Sequence, residues 1–228
     1  MVADTTPLED TGSRRELAVA RSLDPARARA EKRVQRFLDA ALELMSESDG
    51  KDFTVQQVVD RSGQSLRSFY QYFEGKYELL LALFEESVAR TSEHVHQALV
   101  GVHDPLERLQ TFVVEYYRRC GPAPKGTKRA DRTPNPMAIA EFAQQLLTEH
   151  PKQAAQAFAP LVDQLVELLD EARDAGAVRE GFDHRRLAGI LLQGIMFNAF
   201  SATISGASPR DGDAALLDLV LHGVAADR

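Results

Sequence analysis

With 228 residues, 44% hydrophobic and 27% charged, the chain has the length for a sizeable core and the composition of an ordinary globular protein. A net charge of −7 excludes wholesale coating of nucleic acid, which needs a basic domain, but leaves room for a local basic face. One cysteine, Cys120, excludes an internal disulfide or a Cys-based metal cluster; no secretory pattern or apolar run of transmembrane length is present, so a reducing cytoplasm is expected.

Residues 1–24 read as a flexible N-terminal extension, polar over its first half. Between residues 13 and 36, Arg14, Arg15, Arg21, Arg27, Arg29, Lys32, Arg33 and Arg36 face only Glu16, Asp24 and Glu31. Such local charge attracts phosphate or is a solvated helix face, and charge alone leaves both open. Asp24-Pro25 predicts a helix start, with an N-cap acceptor and proline at the first helical position. Val34, Phe37, Leu38, Ala41, Leu42 and Met45 then recur at helical spacing until Asp49-Gly50.

A short helix is predicted over Val55 to Ser62. Thr54 with Gln57 forms a capping box, Phe53 and Val58 a staple, and Gly63 supplies the left-handed stop. A second short helix opens at Ser65 and breaks at Glu74-Gly75. A longer one begins at Lys76, and further helical patterns cover 105–119, 136–149, 153–175, 183–204 and 212–225. Arg118–Pro136 contains a proline- and glycine-rich break that predicts a mobile loop near 120–135. No strand alternation occurs, so the fold class is all-α.

Two short helices joined by a glycine turn form a helix-turn-helix, whose second helix enters the DNA major groove. Helical spacing places Phe69 and Phe73 on one face, to pack on Val55, Val58, Val59 and Phe37. The opposite face carries Arg67, Ser68 and Gln71. Arg67 suits guanine and Gln71 adenine, each through paired hydrogen bonds. Ser65, Ser68, Tyr70, Tyr72 and Thr54 offer hydroxyls to phosphates, and Lys76 adds charge at a helix start.

The run Phe53-Thr54-Val55, Gly63, Ser65, Phe69, Tyr70, Tyr72-Phe73, Lys76 and Glu78-Leu79-Leu80 resembles the DNA-binding domain of the tetracycline-repressor (TetR) family of bacterial transcriptional regulators, over about Arg33 to Val88. Leu66 and Arg67 depart from the usual small or polar residues, and Gln64 from an apolar turn residue. Arg67 is thus an added base reader. Leu66 either touches a thymine methyl or folds back into the core. Gln64 and Leu66 complete the expected DNA-facing set.

The resemblance implies a helix-turn-helix domain over 25–75 and a helical ligand-binding and dimerisation domain over 76–228. It implies a homodimer on a palindromic double-stranded DNA operator, acting as a repressor that a small, apolar effector releases. Expected ligand neighbours are Phe112, Tyr116, Met137, Phe142, Phe158, Gln193 and Phe197. Expected dimer residues are Leu187, Ile190, Leu191, Gly194, Asn198, Leu217, Val220 and Leu221. Leu187–Ile204 is apolar nearly all round, which requires cover on both sides. Gln193 and Asn198 either orient the ligand or bond across the dimer. No paired carboxylates, nucleophile elbow, phosphate loop or zinc spacing is present, so neither an enzyme nor a cofactor or metal is expected. The alternative is a helical protein-interaction module without DNA readout.

Overall fold

The structure, a computed structural model, describes residues 14–47, 53–121, 136–205 and 217–219. All the elements are helices: α1 (Arg14–Glu47), α2 (Val55–Ser62), α3 (Leu66–Tyr72), α4 (Lys76–Ala98), α5 (Pro105–Cys120), α6 (Pro136–Glu149), α7 (Pro151–Asp174) and α8 (His184–Ser205). The all-α expectation holds.

α1 departs from the sequence reading. It begins at Arg14 and carries Pro25 inside, so residues 14–24 are helix rather than a flexible extension. The proline ring removes one donor and crowds the carbonyl of Arg21. Alanines and arginines on both sides, strong helix formers, carry the helix across it. The other predicted boundaries fall within a few residues of those observed. The expected loop at 122–135 and most of the expected 212–225 helix lie outside the described residues; 217–219 are helical.

Two hydrophobic clusters organise the chain. The first joins Phe37, Leu38, Ala41 and Met45 of α1 to Phe53, Val58, Val59, Phe69 and Phe73, and is closed by Leu79 and Leu83 of α4. The second takes Phe84, Val88 and Val95 from α4, Leu99 just after it, and the inner faces of α5, α6, α7 and α8. α4 thus buries Leu79 and Leu83 in one core and Phe84, Val88 and Val95 in the other. Each fully buried Phe or Leu contributes about 1.5–3 kcal/mol relative to exposure.

Ion pairs fasten the helices from outside. Arg61 of α2 bridges Glu47 at 2.8 Å and Glu43 at 3.3 Å, both on α1. Arg108 of α5 meets Glu171 of α7 at 2.8 Å. The buried His184, at the start of α8, bonds Asp170 of α7 through Nδ1 at 2.8 Å.

Candidate nucleic-acid interface and ligand groove

The turn between α2 and α3 is built as its residue types dictate. Thr54 Oγ1 accepts from the backbone N–H of Gln57 at 3.2 Å, and Gln57 Oε1 accepts from the N–H of Thr54 at 2.8 Å. This reciprocal pair satisfies two orphan donors of α2. Gly63 has φ +66°, ψ 27°, the left-handed conformation glycine adopts without penalty, and its N–H closes α2 on Asp60 O and Val59 O. Ser65 then caps α3 by accepting from Ser68 N–H at 3.1 Å.

Three phenyl rings set the orientation of α3. Phe37 meets Phe69 edge-on at 5.4 Å and Phe73 at 6.1 Å, and Phe69 lies 5.4 Å from Phe73. Phe37 and Phe69 are fully buried. Such ring pairs add about 0.5–1.5 kcal/mol each beyond burial. With one face of a two-turn helix held this way, the opposite face has only one direction to point.

That face carries Arg67 and Gln71, both exposed and, among the described residues, without a hydrogen bond or ion pair to the protein. Tyr70 is 57% exposed and stacks edge-on against Phe69 at 5.4 Å. Leu66 is 43% exposed, which settles the sequence ambiguity: it faces outward rather than into the core. Ser65 and Thr54 are exposed beside them, although the Thr54 hydroxyl also donates to Gln57 Oε1 at 3.2 Å.

Four expected members of the set behave differently. Ser68 is not on the outward face: its Oγ is buried and unpartnered, because position 68 turns toward the helix neighbours once Phe69 is anchored. It offers nothing to a phosphate in this conformation. Gln64 commits Nε2 to the carbonyl of Arg33 on α1 at 2.8 Å and so acts first as a fastener of the turn. Tyr72 is half-buried and packs against the first core cluster. Lys76 places Nζ 4.4 Å above the Phe53 ring, and burial holds its ammonium below the usual lysine range.

The expected ligand residues are largely core. Phe112, Tyr116 and Phe142 are buried among their neighbours, and Phe197 packs against the same cluster. Phe158 and Gln193 instead line a groove of about 560 Å3 between α6, α7 and α8. Its other walls include Leu147, Ala155, Ala159, Val162, Gly189 and Arg185. Arg185 donates to Asp163 from both terminal nitrogens, at 2.7 and 2.8 Å, near one end. Sequence reasoning missed these lining residues because alanine and glycine carry no chemical signal; their helical recurrence on α7 and α8 was the only trace. The side chain of Met137 lies outside the described residues.

α8 is not covered all round. It buries Ala188, Leu192, Ile195, Met196 and Ala199, while Gln193, Gly194 and Asn198 are exposed and Ile190 is 60% exposed. Within one chain both Gln193 and Asn198 face outward. Leu187, Leu191 and Leu217 are half-buried against the second core, whereas Val220 and Leu221 lie outside the described residues. Among the described residues no His/Cys/Asp/Glu group could hold a metal, and no helix is long and apolar enough to cross a membrane.

A capped helix-turn-helix on an all-helical body is the class these features define. Residues 37–83 match the model of the tetR family of bacterial regulatory proteins. The match is confined to the helix-turn-helix region, and the helical fold as a whole is similar to that of solved regulators of this type. FadR from Bacillus subtilis, solved in complex with stearoyl-CoA, is 17% identical, with a TM-score of 0.65 over 83% of this chain and 98% of its own. A putative transcriptional regulator from Saccharomonospora viridis, solved with choline, is also 17% identical, with a TM-score of 0.65 over 86% of this chain and 100% of its own. A TetR-family regulator from Pectobacterium atrosepticum is 19% identical, with a TM-score of 0.65 over 88% and 98%.

Proposed function

We propose that the protein is a ligand-responsive, sequence-specific DNA-binding regulator, a repressor rather than an enzyme, that acts in the bacterial cytoplasm as a homodimer on a palindromic operator. The observation that carries this reading is the outward face of α3. Arg67 and Gln71 stand unpartnered beside exposed Tyr70 and Leu66, on a helix locked from behind by Phe37, Phe69 and Phe73. Arg67 is assigned to a guanine, Gln71 to an adenine, and Leu66 to a thymine methyl. Ser65, Thr54, Tyr70, Tyr72 and Lys76 are assigned to the backbone, where they set register.

The open face of α8 supports the dimer. Ile190, Gly194 and Asn198 recur at helical spacing, and a Cβ added at Gly194 would meet nothing within 4 Å, so a second copy can approach closely. Two copies place two recognition helices about 34 Å apart, one turn of duplex. We divide the chain accordingly into a DNA-reading unit over 25–75 and an effector and dimer unit over 76–228.

The α6–α7–α8 groove is our candidate effector site. Its aliphatic walls and the amide of Gln193 suit a small, mainly apolar molecule. The stearoyl-CoA and choline bound by the two distant fold neighbours show how varied such ligands are. The effector acts by preferring the conformation whose helix spacing mismatches DNA, which requires differential affinity for the two states.

Selection of bound duplex from a random pool tests the reading. A palindrome with half-sites one turn apart is expected. Failure to retain any duplex at low salt would favour a helical protein-interaction module instead.

A further inference from the structure

We propose that the N-terminal part of α1, residues 14–36, is a second DNA-contacting element that lies along the phosphate backbone flanking each half-site. This rests on the DNA-binding reading above and extends it to a surface upstream of the residues that match the family.

Position comes first. Gln64, in the turn that opens α3, donates to the carbonyl of Arg33 at 2.8 Å. That bond pins α1 at residue 33 against the turn from which α3 projects. When α3 sits in a groove, this part of α1 is at the duplex surface.

Packing comes second. The buried core residues of α1 start at Phe37, with half-buried Val34 packed beside them, and residues 24–29, 31–33 and 36 are exposed. The helix nevertheless continues back to Arg14, through Pro25. Between residues 24 and 33 only Ala30 is half-buried, so this stretch gains little from tertiary packing and is built to rest on something else. From Arg14 to Arg36 it spans about 33 Å at about 1.5 Å per residue, close to one turn of duplex.

Charge identifies the partner. Arg29, Lys32, Arg33 and Arg36 share one face at helical spacing and, among the described residues, have no acidic partner. The neighbouring carboxylates are limited: Glu31 is held by Arg27 at 2.8 Å, Asp39 accepts from Gln35 at 3.0 Å, and Asp24 is exposed. In a protein of net charge −7, an unbalanced cationic stripe beside the reading helix fits a linear polyanion.

The test uses the full chain and the duplex selected above, made in two lengths. The short form ends at the half-sites, and the long form adds about ten base pairs, one turn, at each side. The variant carries Arg29→Gln, Lys32→Gln, Arg33→Gln and Arg36→Gln. Each lost phosphate contact should lower the slope of log affinity against log salt by about 0.9. We expect a slope reduced by roughly 2–4 on the long duplex, a much smaller change on the short one, and unchanged base preferences. Single variants Arg29→Gln and Lys32→Gln, on exposed positions, should each remove about one contact and serve if the fourfold variant melts early. Equal slopes for wild type and variants on both lengths would overturn the proposal while leaving the reading by α3 intact. Wild type that binds no duplex at low salt would overturn both.

Discussion

The hydroxyl of Tyr77 donates to Oε1 of Gln153 at 2.8 Å, joining the first turn of α4 to the first turn of α7. The Tyr77 ring also lies 4.8 Å from His150 and 5.8 Å from Phe142. Gln153 sits between Pro151 and Ala154, both of which line the groove. One residue before Tyr77, Lys76 covers the Phe53 ring of the first core cluster. Any displacement of α7 by a ligand therefore reaches the start of α4 through a few direct contacts. Tyr77→Phe should cost about 1 kcal/mol of stability, the usual net value of one hydrogen bond. A double-mutant cycle with Gln153→Ala should return a coupling of about 0.5–1.5 kcal/mol. Additive melting shifts would show that the bond carries nothing.

Arg67→Ala should relax preference at one base of each half-site and cost about 1–3 kcal/mol there, leaving the melting temperature unaltered because the side chain packs on nothing. Phe69→Ala should do the reverse of a selective change. It empties a fully buried ring site beneath α3, should cost about 3–5 kcal/mol of folding stability, and should abolish binding to every sequence alike. Binding-site selection on the Arg67 variant and calorimetric melting of the Phe69 variant separate the two effects. Unchanged base preferences in the Arg67 variant would remove it from the readers.

The α2–turn–α3 unit was legible because its signals are local. Thr54, Gln57, Gly63 and Ser65 each answer a backbone need within four residues, and the structure uses all four as their types suggest. The burial of the Ser68 hydroxyl and the bond of Gln64 to Arg33 were not legible because both depend on neighbours outside the local pattern. The start of α1 was misread because Asp24-Pro25 is a strong local signal that the flanking helix formers outweigh. Aromatic residues such as Phe112 and Tyr116 marked the core, not the groove; composition gives their burial but not which side of a helix a cavity opens on.

Ser68→Ala should be neutral or stabilising. Its Oγ is buried without a partner, a state that costs about 1–3 kcal/mol for a desolvated polar group. The variant should melt no earlier than wild type and bind DNA with an unaltered salt dependence. A loss of affinity with a lowered salt slope would restore the hydroxyl as a phosphate donor.

Gly63→Ala should destabilise, although a Cβ there would meet no atom within 4 Å. The cost comes from φ +66°, which an L side chain occupies at about 1–2 kcal/mol. Asn, which tolerates the left-handed region, should recover part of the loss. An Ala variant as stable as wild type would mean that the turn relaxes to another conformation.

Alkaline conditions should weaken the second core from inside. Tyr116 and Cys120 lie one turn apart at the end of α5, and each shifts the titration of the other. Cys120 is a half-buried residue, yet desolvation at its thiol pushes it up to about 12, with Tyr116 opposing in part. Tyr116 is raised well above the usual tyrosine value, first by its own burial and then by Cys120. Both groups stay protonated in the folded state while the unfolded chain releases its protons. The folded state then binds more protons, so stability falls as pH rises. The Cys120 contribution is fully present below about pH 9 and is lost between about 9 and 12. Denaturant midpoints measured between pH 8 and 10 should therefore decline, and Cys120→Ala should flatten the part due to the thiol. In native protein at pH 8 a thiol reagent should react far more slowly than in denatured protein, since the thiolate is scarce. Rapid native labelling at that pH would show that the end of α5 opens readily and that the thiol is not held as the structure places it.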